Sequence, residues 1–377
     1  MARFRLICPL ATAMSVAACM VAVLGIVAPA QAGPTFSVTN LITNDQTVNK
    51  AQITDPNLVN PWGVSFSSGS PLWVSNEGKG VSSLYSISNS DQVSIVTTPP
   101  PSRFPVTIPG GAPTGQAFNG SSTAFNGDPF VFVTLNGAVE GWRPALGSTA
   151  EVIASNTANS YTGATLVTVN GNSYLLAANN KTGNIDVFNG TAGQPALSGN
   201  FTDTTLPPGS HPYNVQVLNG VVYVTYNQGF VDAFTTSGAF IARVGSGGSL
   251  DNPWGLAIAP TSFGNLAGDL LVGNLNSGQI SVFNLSTDTA QGVLTGTNGA
   301  PIVIQDLWAL YVGNNAAMGS GSNQQVYFTA GSNSYADGLI GAIQSVPEPS
   351  SAVLGLIAVG ALAGRWHWKN RRRGVMS

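Results

Sequence analysis

Asn60-Pro61-Trp62-Gly63-Val64-Ser65-Phe66 returns almost unchanged as Asn252-Pro253-Trp254-Gly255-Leu256-Ala257-Ile258. Both copies open on a turn signal, Asn before Pro, and run into an apolar stretch of strand length. Weaker copies surround them. They are Ala112-Pro113-Thr114-Gly115-Gln116-Ala117-Phe118, Tyr161-Thr162-Gly163-Ala164-Thr165-Leu166, His211-Pro212-Tyr213-Asn214-Val215-Gln216-Val217 and Asp306-Leu307-Trp308-Ala309-Leu310-Tyr311. The aligned positions are 62, 114, 162, 213, 254 and 308. A period of roughly 40 to 54 residues is that of a propeller blade or slightly longer.

Each copy continues in the same way. A second apolar strand comes at 72–75, 130–134, 174–178, 221–225, 269–272 and 325–329. In three copies an Asn/Gly loop is next: Asn76-Glu77-Gly78-Lys79-Gly80, Asn179-Asn180-Lys181-Thr182-Gly183 and Asn274-Leu275-Asn276-Ser277-Gly278. A third strand with period-2 alternation ends the unit, as in Ile185-Asp186-Val187-Phe188 and Ile280-Ser281-Val282-Phe283. Three or four strands repeated six times predict an all-β fold, a six-bladed β-propeller over residues 33–345. The sixth unit lacks room for a fourth strand, and residues 36–43 form a spare one before the first unit. That strand is expected to complete the last blade and close the ring without an exposed edge.

The ends read as addresses. Arg3 and Arg5 precede an almost wholly apolar run at 6–27, and Ala30-Gln31-Ala32 offers small residues where a signal peptidase cuts. This predicts a signal peptide over 1–32. Val16-Ala17-Ala18-Cys19 also resembles a lipobox, although 20–27 stays apolar where a polar tether would be needed. At the other end, residues 346–377 contain Pro347-Glu348-Pro349, an apolar stretch at 352–364, and then Arg365, Lys369, Arg371, Arg372 and Arg373. This closely resembles the PEP-CTERM sorting signal of Gram-negative bacteria. The resemblance implies exosortase as a partner, a transient transmembrane anchor in the inner membrane, and cleavage near Pro-Glu-Pro. Thirteen apolar residues are short for a span of roughly 20, which Trp366 and Trp368 can extend into the interface. The arginines would stay cytoplasmic, leaving the body on the far side. An anchor that is never cut is the simpler alternative.

With both ends set aside, the body has Lys50, Lys79, Arg103, Arg143, Lys181 and Arg243 as its cations, against all sixteen acids except Glu348. A balance of about −9 with no basic cluster argues against nucleic acid. Both cysteines, Cys8 and Cys19, fall in the signal peptide, so the body has no disulfide, thiol nucleophile or Cys-ligated metal.

The repeating unit, with Asn-x-x-x-Gly leading into Ile-x-Val-Phe, is similar to NHL-type propellers. Together with the PEP-CTERM tail it looks like a propeller family often found with this tail. That resemblance implies a fold and an address but no chemistry. Blade topology expects the unit openings and the Asn/Gly loops to share one rim of the channel. Asn60, Trp62, His211, Tyr213, Asn252, Trp254 and Trp308 would gather there, beside Asn76, Glu77, Asn179 and Asn274. Rings beside amides suit a neutral polar ligand such as a polysaccharide. The structural alternative is that Asn-Pro marks turns and that the tryptophans pack between blades.

No catalytic constellation is legible. His211 is the only histidine of the body, no serine sits in a Gly-x-Ser-x-Gly elbow, and no His-Glu-x-x-His, phosphate loop or dinucleotide fingerprint occurs. A Ca²⁺ ion held by Asn60, Glu77 and Asn252 is the one cofactor conceivable. Gluconolactonase-type propellers use a comparable channel metal, which makes a metal-dependent hydrolase or lactonase the second reading. The first is an exported binding or structural module of the envelope or the exopolysaccharide matrix.

Overall fold

In blades one to five each repeat folds as an antiparallel sheet whose strands step outward from the motif in chain order. The computed structural model describes residues 33–97 and 104–347. The expected signal peptide over 1–32, the segment 352–364 and the basic tail lie outside them. Blade one runs from Pro61–Ser65 through Leu72–Asn76 and Val81–Ile87 to Val93–Ile95, and Val106–Thr107 also pairs with Val81–Ile87. Blades two, four and five open on Pro113–Phe118, Pro212–Leu218 and Pro253–Ile258, with four strands each. Blade three opens on Tyr161–Val169 and stops at three strands, ending on Asn184–Asn189.

Blade six draws on both ends of the described chain. Leu307–Val312, Val326–Ala330 and Leu339–Val346 supply its inner strands, and Thr35–Thr43 pairs antiparallel along Leu339–Val346. The register runs from Thr35 opposite Val346 to Thr43 opposite Leu339, with one bulge between Asn40 and Ile42. Inner strands touch in order around the ring, and that of blade six touches that of blade one. All-β, six blades and a closed ring are the architecture that the repeat predicted.

Four of the six second strands are buried along their whole length, Leu72–Asn76, Phe130–Thr134, Leu270–Asn274 and Val326–Ala330, and the other two over all but their first residues. They lie between two neighbouring strands and between two neighbouring blades, so both faces are covered. This explains why they read as continuous Val/Leu/Phe runs rather than alternating ones. The core is therefore divided among the blade interfaces. Phe36, Leu271 and Phe328 join blades five and six, Val167, Val215 and Phe234 join three and four, and Trp73, Phe130 and Trp142 join one and two.

In four of the six copies a glycine follows the aligned opening position, and it has a packing role. A Cβ at Gly63 would strike the backbone of Thr114, one at Gly115 that of Ala164, and one at Gly255 that of Trp308. At these three positions the inner strand approaches the next at a distance only glycine permits. The residue before the strand turns left-handed: φ is 46° at Asn60, 46° at Ala112, 55° at Asn252 and 54° at Asp306. Asn and Asp tolerate that region better than other side chains.

Candidate functional site

Trp62, Trp254 and Trp308 converge on the propeller axis and pack on one another. Trp62 and Trp308 stack with ring centroids 3.5 Å apart, and Trp254 meets them edge-on at 6.2 and 5.8 Å. Tyr213 joins at 6.5 Å from Trp62 and 6.2 Å from Trp308. The indoles are 2 to 6 % exposed. Trp254 Nε1 donates to the Thr162 carbonyl across the channel at 2.9 Å, and Trp308 Nε1 donates to Asn60 Oδ1 at 2.9 Å. This is an aromatic plug across one end of the channel. Its ring faces are taken up by each other, which differs from the open sugar-stacking rim expected from sequence.

Most polar groups around the plug are committed in the same manner, although Trp62 Nε1 and Asn76 Oδ1 are buried with no partner among the described residues. Asn60 Nδ2 donates to Glu77 Oε2 at 2.8 Å while its Oδ1 holds Trp308. Asn76, Asn179 and Asn274 reach from the end of the second strand to the third. Their Nδ2 groups donate to Ser83 Oγ, Asp186 Oδ2 and Ser281 Oγ at 2.9, 2.8 and 3.0 Å. His211 Nδ1 bonds the Asn180 carbonyl. Asn252 lies beside the Tyr213 hydroxyl, which burial pushes well above its usual range. The structure thus brings Asn60, Glu77, Trp62, Trp254, Trp308, Tyr213 and Asn252 to one end of the axis. Among the described residues no group of three or more His, Cys, Asp or Glu side chains could hold a metal.

Tyr335 belongs to this end and was not legible in the sequence. It packs on Trp308 at 5.9 Å and stays 40 % exposed. It sits in an irregular loop in which Asn333, Ser334 and Tyr335 all have positive φ. No strand periodicity marks such a loop.

A cavity of about 810 Å³ occupies the channel on the other side of the plug. All six inner strands line it, with Trp254 among the buried lining residues and Phe118, Asn219 and Gln324 among the exposed ones at its mouth. Not one Asp, Glu, His, Lys or Arg is among the lining residues. Deep in it, Gln116 donates to the Gly63 and Trp73 carbonyls and accepts from Ser82, and Asn214 donates to the Trp254 carbonyl. These amides tie neighbouring blades together. The candidate rim read from the sequence lies at the plug end, because the opening residues are the conspicuous ones. The cavity is made by the later residues of each inner strand, many of them small, and small residues carry little signal.

A hollow of about 420 Å³ between blades two and three contains one carboxylate, Asp186, already bonded by Tyr161 and Asn179. Among the described residues both arginines are likewise engaged: Arg143 bridges Asp128 and Glu151, and Arg243 bridges Asp203 and Asp232. Among the described residues there is no helix long and apolar enough to cross a membrane.

Residues 345–373 match the PEP-CTERM protein-sorting motif. Over 348 aligned residues the chain is 26 % identical to uncharacterized protein R648 of Acanthamoeba polyphaga mimivirus, covering 84 % of this chain and 82 % of that protein. A second uncharacterized mimivirus protein is 25 % identical, with 84 % and 87 % covered. Among solved structures, an auxiliary nutrient binding protein from Bacteroides thetaiotaomicron superposes with a TM-score of 0.53 at 12 % identity, over 83 % of this chain and 77 % of that one. A streptogramin B lyase superposes with a TM-score of 0.50 at 14 % identity, over 82 % and 98 %. At such identities the superpositions speak for the fold alone. The sorting motif implies exosortase-mediated sorting, export and a cell-envelope destination. The chain is thus a six-bladed β-propeller that carries a PEP-CTERM protein-sorting motif at residues 345–373.

Proposed function

We propose that this propeller is a binding module of the cell envelope or the exopolysaccharide matrix, without chemistry of its own. The charge-free lining of the channel cavity carries this reading. General acid–base catalysis needs a titratable side chain within hydrogen-bond reach of the reacting atoms, and the hydroxyl of Tyr311, the one such residue of the lining, is buried and held well above its ordinary range by that burial. Amides, hydroxyls, main chain and apolar side chains instead hold a neutral ligand without transforming it. For a metal-dependent lactonase, oxygen ligands must converge on a cation. Asn60 directs its amide N–H at Glu77 and its oxygen at Trp308, so neither points to a shared centre with Asn252.

In this reading the signal peptide is removed after Ala32. The segment 352–364 then holds the chain briefly in the inner membrane, and exosortase cuts near Pro347-Glu348-Pro349. The released body reaches the surface or the matrix. The test is retention of the exported protein on the producing cell's own exopolysaccharide, measured with and without a chelator. Retention that the chelator leaves unchanged is expected. A hydrolytic activity abolished by the chelator would replace the binding module with the lactonase.

A further inference from the structure

We infer that the channel mouth opposite the aromatic plug binds an uncharged amphiphile, a small molecule with an apolar body and a single hydrogen-bonding head. The inference names the ligand class of the binding module proposed above and takes its biological setting from it. Four residues after each aligned opening position stands an apolar side chain: Phe66, Phe118, Leu166, Val217, Ile258 and Val312. All six line the cavity and none is fully buried, with Phe118 37 % exposed. One such residue from every blade makes a collar around the mouth. Below it the inner strands carry Gly115, Ala164, Ala257 and Ala309, whose small size leaves the space open. Partly exposed apolar surface facing a shared hollow gains by burying a ligand of like character.

The polar groups set the rest of the class. Gln216 and Asn219, both on blade four, line the cavity with side-chain amides that have no hydrogen-bond partner among the described residues. Also at the mouth, on blades five and six, Thr261 donates to Gln324, which donates to Asn323. The deeper amides of Gln116 and Asn214 are committed to the fold. Two neighbouring free amides serve one head group, not the many hydroxyls of an oligosaccharide. An ionised ligand would lose its hydration here and find no opposite charge.

The probe is N-phenyl-naphthylamine, a neutral fluorophore with one N–H, added to the protein as exported by its own cells. The same skeleton bearing a sulfonate is the control. Saturable binding of the neutral probe is expected, with the sulfonated one weaker by about tenfold or more. Leu166→Asp and Ile258→Asp, at half-buried collar positions, should each weaken the neutral probe by about tenfold. Phe118→Ala, at the exposed collar position, provides a variant that keeps the fold if an Asp variant lowers the melting temperature. Gln216→Leu should reduce affinity for the N–H probe with melting unchanged. Absence of saturable binding, equal binding of the two probes, or indifference to all collar variants would overturn the inference. Retention on exopolysaccharide without probe binding ends the amphiphile and leaves the module. Probe binding without retention sustains the site and removes the matrix role.

Discussion

Trp308 shows how a conspicuous residue is claimed by the fold. It stacks on Trp62, bonds Asn60 and carries Tyr335 on its outer face. The aromatic residues of the motif therefore hold blades together at the axis. Glu140 is the opposite case, an inconspicuous residue with a measurable signature. It is fully buried on the third strand of blade two; one oxygen accepts the Gly110 N–H, and the other has no partner. Burial pushes its carboxyl up to about 7. The unfolded chain releases this proton at a lower pH, so between about 4.5 and 7 the folded state binds more protons. Stability from this group is therefore greatest at low pH and falls as pH rises through about 7, by on the order of 2–3 kcal/mol. Melting curves across that window, compared with those of Glu140→Gln, isolate the effect from other carboxylates. The variant should lose this slope, and an unchanged slope would assign the pH dependence elsewhere.

Strands show a different economy, since one short element closes the ring. Thr35–Thr43 supplies the outer strand of blade six and buries Phe36, Leu41 and Ile42. Phe36 also contacts Phe263 of blade five, 4.6 Å between ring centroids. Burial of these three side chains contributes on the order of 5 kcal/mol before the lost ladder is counted. Deleting residues 36–43 should cause aggregation or a large fall in melting temperature, because Leu339–Val346 becomes an exposed edge. A melting transition like that of the parent would show that another element closes the ring. Blade three presents its last strand, Asn184–Asn189, without a fourth partner. That strand carries Asn at both ends and Asp186 within it, polar residues that suit an uncovered edge.

At the scale of the molecule, the charge distribution and the two ends describe a route. The basic residues cluster in the terminal segments, while the body is acidic and Arg143 and Arg243 are held in ion pairs. If both ends are processed, protein recovered outside the producing cell should run from Gly33 to near Pro347. Intact mass measures this directly. A species that still carries Arg371, Arg372 and Arg373 would mean that the tail is retained.

Fold and address were legible in the chain because both depend on periodic or contiguous residues. Asn-Pro-Trp-Gly and its copies count the blades, and strand-length apolar runs between Gly-rich turns can bury themselves only as stacked sheets. The sorting motif is linear and is read without folding. Tertiary structure alone decided which aromatic faces were free and where the channel opened. Trp62 has the same covalent chemistry as a stacking platform or as a plug; only its distance to Trp308 and Trp254 separates the two. The cavity likewise comes from Gly115, Ala164, Ala257 and Ala309 meeting around one axis, though they lie far apart in the chain. Empty space has no sequence signature, because it is made by residues that are small.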